Sequence, residues 1–471
     1  MKREHQMEMR PECVSVTGEE KHTCSCMVDV EKMVADENPD SGRLEAERWE
    51  AQSIYLVPEW LKGNNSKEYR PQLVSLGPFH HGDPNLLPME EHKRRSLVQL
   101  IKRSKKPLQD FITAVDDVVQ ELQGAYGMDL DVKWRNDKRS FVDMMLTDGC
   151  FLLEIISNHF LDYKSHDPVF SKRAIDRIGS IIQSDMLLIE NQLPLLLLKK
   201  ILGVLLPPDY LQEDETDNHM VHVDPNIVVE MDTKINLMVL EFLGREDEDL
   251  DMVNTRLRHH PLDLYHGCLT YKEGATEGPE EESTVNDYEP MPSALEIHEA
   301  GIKFRKSNSD TLLDVHFDMK RGVLTMPVMM LFDSTESLYL NLMAFERLHV
   351  GAGEVVTSYV ICMDDMIVSA RDVAMLRSND VLVNMLGCDE EAAKLFNGTL
   401  SRGQLLGSCD DLRQVQYNVK AYCGKSWHKW RATLMRTHIR NPWAFISLVA
   451  ATILLICTLL QTIYTMKQNK P

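Results

Sequence analysis

Ile178 to Leu206 reads IGSIIQSDMLLIENQLPLLLLKKILGVLL, apolar on most faces. A run of this kind belongs to helices buried all round inside an α-helical body. Pro194 lacks a backbone donor, so the stretch is predicted to be a helix pair that bends or restarts there. Lys199 and Lys200 interrupt Leu193–Leu206, which excludes a membrane span at this point. Glu190-Asn191-Gln192 sits inside the apolar run. A carboxylate buried there needs a charged partner, and Lys93, Arg94 and Arg95 are the candidates. Glu346, within the apolar stretch Leu338–Leu348, poses the same question.

Outward from this centre the helical rhythm continues. Leu97, Leu100, Ile101, Leu108, Phe111, Ile112 and Val115 recur at helical spacing from about Met89, with Pro107 as a break. Helices are also predicted over Phe141–Phe160, Ile227–Leu243, Ser334–Leu348, Val355–Ile367 and Glu390–Phe396. Period-two alternation through Ile302, Phe304, Leu313, Val315 and Phe317, then Gly322 and Val323–Met326, predicts a small β-hairpin. Residues 1–50 read as a flexible acidic segment, and residues 51–436 as the folded body. Two acidic stretches, 207–226 and 245–292, read as solvated insertions.

From Asn441 to Met466 no residue is charged. As a helix these residues would extend about 39 Å, against a hydrocarbon core of ~30 Å. Trp443 and Tyr464 stand where interfacial aromatics belong. The expected fold class is therefore mainly α, with a helical body, a small β-hairpin and a single C-terminal transmembrane helix over 441–466. Lys425, Lys429, Arg431, Arg436 and Arg440 precede the run, and only Lys467 and Lys470 follow it. That bias predicts a tail-anchored, single-pass protein with its body in the cytosol and the lipid bilayer as a partner. Lys2 excludes N-myristoylation, and residues 1–40 hold no apolar leader.

The chain has 471 residues, 51 Lys and Arg against 73 Asp and Glu, and a formal charge of -22. That balance argues against nucleic acid as a partner, because phosphate contacts need positive surface. Ten Cys without CxxC spacing suit reduced, mostly buried thiols.

Ile54-Tyr55-Leu56-Val57-Pro58, Tyr69-Arg70-Pro71 and Val74-Ser75-Leu76-Gly77-Pro78-Phe79-His80-His81-Gly82 occur in that order. Asp185-Met186-Leu187-Leu188-Ile189-Glu190-Asn191-Gln192-Leu193-Pro194 and Asn341-Leu342-Met343-Ala344-Phe345-Glu346 follow, then Asn441-Pro442-Trp443-Ala444. In this ordered set the chain resembles the plant family known as domain of unknown function 247, across roughly residues 51–466. The resemblance implies a plant protein, mostly helical, with a C-terminal anchor and no established reaction. Some grass members of that family are linked to pollen–stigma self-recognition, which extends the implied roles to self-recognition, development or signalling.

His80, His81 and Asp83, in the turn Gly77–Asp83, together with Glu190, form the candidate polar cluster. Two imidazoles and a carboxylate are residue types that move protons or bind metal. Adjacent His side chains rarely serve one ion without a distant third ligand, and Gly and Pro at these positions set a rigid turn. No metal or cofactor is therefore expected, and no catalytic residue is assigned. The seven cations of Lys93–Lys106 read as a solvated face. No phosphate-binding loop, HExxH or GxSxG pattern occurs. The leading expectation is a membrane-anchored protein that binds unidentified protein partners and is not an enzyme. The alternative is a membrane-tethered hydrolase using His80 or His81 with Glu190.

Overall fold

The computed structural model describes residues 49–157, 163–205, 225–245, 256–271, 290–400, 409–425 and 442–468. Contacts separate Met1–Trp49 from a second unit, Glu50–Pro471, and everything below concerns the second. Most of the expected flexible segment 1–50, of the two acidic insertions and of the basic stretch before Asn441 lies outside the described residues.

Two helices follow the first loop, α1 (Leu87–Ser104) and α2 (Leu108–Asp116). Pro107 divides them and serves as the N-cap residue of α2, where its missing donor costs nothing. Helix α3 (Lys138–Ile156) begins at Asp137, whose side chain accepts from Ser140 N–H. Helix α4 (Lys172–Met186) begins at Ser171, whose side chain accepts from Ala174 N–H. Each cap satisfies a donor that the first helical turn leaves free. Helix α5 is Leu195–Leu205 and α6 is Pro225–Phe242. The apolar run is thus the expected helix pair, α4 and α5, but the break spans Leu187–Pro194 rather than Pro194 alone.

Helix α7 (Pro261–Thr270) lies inside a stretch that composition assigns to a solvated insertion, yet Leu262 and Leu264 are fully buried. Strands β1 (Lys303–Lys306), β2 (His316–Asp318) and β3 (Val323–Met326) form one sheet in the order β1-β3-β2. The β2–β3 pair is an antiparallel hairpin, with Phe317 opposite Leu324. The sheet is larger than a hairpin because β1 joins β3 in parallel, with Phe304 opposite Leu324. Strands β4 (Met329–Leu331) and β5 (Leu382–Asn384) make a separate parallel pair. Helices α8 (Thr335–Leu348) and α9 (Val355–Met366) follow, and further helices over Ala370–Ser378, Asp389–Lys394 and Asp410–Cys423 pack into the same body.

Two apolar cores result. The first gathers α1 to α6, with Phe111, Phe141, Phe151, Leu197 and Ile201 fully buried. A fully buried side chain of this size contributes ~1.5–3 kcal/mol by leaving water. Helices α3 and α5 approach so closely at Gly149 that a Cβ there would meet Ile201 Cδ1 at 2.7 Å. The second core gathers α7, the sheets, α8 and α9 around Tyr359, Phe345 and Met363. Leu187 and Ile189, in the break between α4 and α5, belong to the second core, while Met186 and Leu193 belong to the first.

The last helix, α10 (Pro442–Gln468), corrects the expected architecture. Among the described residues no helix is long and apolar enough to cross a membrane. Thr452, Thr458, Gln461 and Thr462 interrupt its apolar sequence with polar side chains. Tyr464 is exposed. Asn441 and the side chains of Trp443 and Met466 lie outside the described residues. The transmembrane helix and the single-pass, tail-anchored topology do not stand, and the orientation drawn from them goes too.

Candidate functional site

The break between α4 and α5 holds Glu190, one member of the candidate polar cluster, within Glu190-Asn191-Gln192. Buried backbone there has to find partners, and four side chains supply them. Asp185 accepts from the N–H groups of Gln72, Leu73 and Val74 at 2.7, 2.8 and 2.9 Å. Asn191 accepts from Leu76 N–H at 2.7 Å and donates to the carbonyls of Val74 and Asp185. Gln192 donates to the carbonyls of Met186 and Leu188 and accepts from Leu262 N–H at 3.1 Å. Glu190 accepts from Val57 N–H at 2.8 Å and pairs with Lys62 at 2.9 Å. Asn191 and Gln192, beyond the helix end, thus take the carbonyls of Asp185 and Met186 that the last turn of α4 leaves free, and the helix stops eight residues before Pro194.

These groups carry different electrostatics. Burial raises the Glu190 pKa, but His80, Lys62 and the Val57 amide more than offset it and hold the carboxylate below its ordinary range. At Asp185 burial wins over its three amide donors, and the pKa is raised. The expected cation for Glu190 is corrected: Lys62 fills that place. Lys93 instead lies fully buried on Asp148 at 2.8 Å and on Glu90 at 2.6 Å. Asp148 also accepts from Gly77 N–H at 2.9 Å, and its pKa is raised because burial outweighs Lys93. Gly77 has φ +82°, and a Cβ there would meet Gln192 O at 2.8 Å and Tyr126 Oη at 2.7 Å. The turn thus requires glycine twice over, for its dihedral and for its space.

The four candidate residues only partly meet. His80 Nε2 stands 3.5 Å from Glu190. His81 turns elsewhere, with its ring edge-on to Trp134 at 5.3 Å between centroids. Asp83 accepts from Asn85 N–H within its own turn. Glu346 pairs with His266 at 3.0 Å and accepts from the N–H groups of Val356 and Thr357, at the start of α9. Among the described residues no three His, Cys, Asp or Glu side chains are placed to hold a metal ion. Cavities of about 640 and 530 Å³ lie elsewhere, lined by none of the four.

One polar centre escapes the sequence reading altogether. His259, His260, His266 and His349 surround Phe345 and Asp263. Phe345 stacks on His349 at 4.9 Å and meets His260 and His266 edge-on, both at 5.4 Å. His260 Nδ1 accepts from Asp263 N–H at 3.2 Å, and its Nε2 lies 2.9 Å from Ser53 O. These two partners fix a neutral imidazole with the proton on Nε2. Burial pushes the His260 pKa down to about 4. Its signal was present in His260-Pro261-Leu262-Asp263, a cap, a first-turn proline and a first-turn acid.

Comparisons with known proteins agree with this frame. A family model described as a plant protein of unknown function, domain of unknown function 247, matches residues 54–457. A UPF0481 protein of Arabidopsis thaliana is 27% identical over 448 residues, covering 89% of this chain and 87% of that protein. A putative UPF0481 protein of the same plant is 25% identical over 490 residues, covering 87% and 89%. No solved structure matches.

Proposed function

The chain belongs to the plant family called domain of unknown function 247, and on that premise we propose that it acts by binding other proteins, without catalytic chemistry of its own. The saturation of Glu190 carries this reading. A general acid or base must reach a substrate proton at ~2.6–3.2 Å with a pKa near the working pH. Glu190 is held by a backbone amide and a lysine, and its pKa is shifted downwards, the wrong direction for an acid. Asp185, Asn191, Gln192 and Glu346 are likewise engaged with backbone groups, so the polar motifs serve to fix the fold.

One contact favours the rival hydrolase reading, the approach of His80 to Glu190. A direct test screens the full chain against ester, glycoside and phosphomonoester substrates. No turnover above background is expected. Hydrolysis that is lost in His80→Gln, with the melting temperature unchanged, would replace the binding reading by the enzymatic one. In parallel, a protein captured on the immobilised chain and then purified should bind it saturably in calorimetry.

A further inference from the structure

Helix α1 carries a cationic row that the fold leaves open. Its inner face, Met89, Lys93, Ser96 and Leu100, is buried. Of the outer cations, Arg95 pairs with Asp167 and Arg103 with Glu154, which also accepts from Tyr163 Oη at 2.9 Å. These pairs pin the Tyr163–Asp167 segment beside α1 and leave a groove of about 530 Å³ between them. Arg94, Val98 and Lys102 line one wall together with one acid, Glu91, and Tyr163 and Lys164 line the other, so the unpaired cations outnumber the unpaired carboxylate three to one among the described residues. Arg94, Lys102 and Lys164 are exposed and have no ion-pair partner among the described residues. Val98, between the two α1 cations, is 48% exposed.

We propose that this groove receives an extended acidic peptide segment in which an apolar residue is flanked, two positions away on each side, by carboxylates. The proposal rests on the binding function above and names its surface and partner chemistry. Arg94, Val98 and Lys102 follow one another at four-residue intervals, which are ~6 Å apart along a helix. Alternate residues of an extended chain share one face and are ~6.6 Å apart. A carboxylate, an apolar side chain and a second carboxylate on one strand face therefore fall opposite Arg94, Val98 and Lys102 in turn. Lys164 on the facing wall adds a third cation, and Tyr163 gives the apolar side chain a second surface. A single compact anion would leave Val98 unused.

The test uses the full chain and a fluorescein-labelled peptide containing Glu-Ser-Leu-Ser-Glu between Gly-Ser flanks, read by anisotropy at about 50 mM salt, where screening is weak. Saturable binding is expected. Arg94→Glu with Lys102→Glu should weaken it by ~10-fold or more, since facing like charges oppose association. Replacing the peptide's Leu by Ser should weaken it as well. Lys320→Glu with Arg371→Glu, an equal charge change on exposed residues outside the groove, should leave binding and melting temperature unchanged. Equal loss in this control would overturn the groove in favour of general charge attraction. Inorganic phosphate that displaces the peptide at matched ionic strength would reassign the site to a phosphate ligand. Absence of peptide binding would also overturn it. If a purified partner then still binds the Arg94→Glu, Lys102→Glu chain, the groove falls while the binding function stands.

Discussion

Acidifying the protein from pH 7 to pH 5 should destabilise it through His260, and His260→Asn should remove that part of the dependence. In the native fold the imidazole stays neutral down to about 4, against 6.5 for the free side chain, because it is buried between Ser53 O and Asp263 N–H. The unfolded chain therefore takes up a proton as the pH falls through 6.5, while the native chain does not until near 4. Stability is present above this window and is lost on descending it. Between pH 7 and pH 5 the loss assigned to His260 is ~2 kcal/mol, an order-of-magnitude figure from the two pKa values. Asp263, depressed below its ordinary value, acts in the same direction but only below its unfolded pKa of 3.8, outside this range. His349, also depressed by burial, contributes equally to both proteins. Asn keeps a side-chain acceptor for the Asp263 amide but abandons Ser53 O, so the variant starts ~1–3 kcal/mol less stable at pH 7. Urea unfolding followed by tryptophan fluorescence at the two pH values measures all four stabilities. Equal losses in wild type and variant would refute the buried neutral imidazole.

Two further substitutions probe the clamp around Gly77. Lys93→Met should leave Asp148 buried without its cation and cost ~3–5 kcal/mol, and adding Asp148→Asn should recover part of that loss in thermal melts. Gly77→Ala should destabilise clearly more than Gly82→Ala. Both have positive φ, +82° and +88°, but only at position 77 would the Cβ strike Gln192 O and Tyr126 Oη. Similar melting temperatures for the two variants would contradict the packing described at Gly77.

How much of this was legible beforehand depended on whether a signal was local. The helices of the first core follow from apolar spacing, and the stop at Pro107 follows from a missing donor. The hairpin followed from alternation, but the parallel joining of β1 did not, since a pairing across 20 residues leaves no local mark. The stop at Met186 was misplaced because Asp185 and Asn191 act on residues 72–76, more than a hundred positions away. Lys62 as the partner of Glu190 was missed for the same reason. Helix α7 was hidden by its acidic neighbours in sequence, although its cap, proline and acid were all visible.

The segment from Ser53 to Glu68 has a consequence for how the protein is made. Ser53 bonds to His260, Tyr55 Oη contacts His349 Nδ1 at 3.1 Å, and Glu68 O accepts from Asn341. Translation proceeds at ~5–20 residues per second, so some 290 residues take roughly 15–60 s to follow Tyr55 out of the ribosome. During that interval the segment can reach its early partners, Ala125 and Asp129, but not His349 or Asn341. Contacts this remote in sequence are also slow to close once the chain is complete. Nascent protein should therefore pass through a long-lived state with Val57 and Tyr69, which pack in the second core, uncovered, and production in a foreign host will depend on chaperones that shelter this first segment until the later helices of the body arrive.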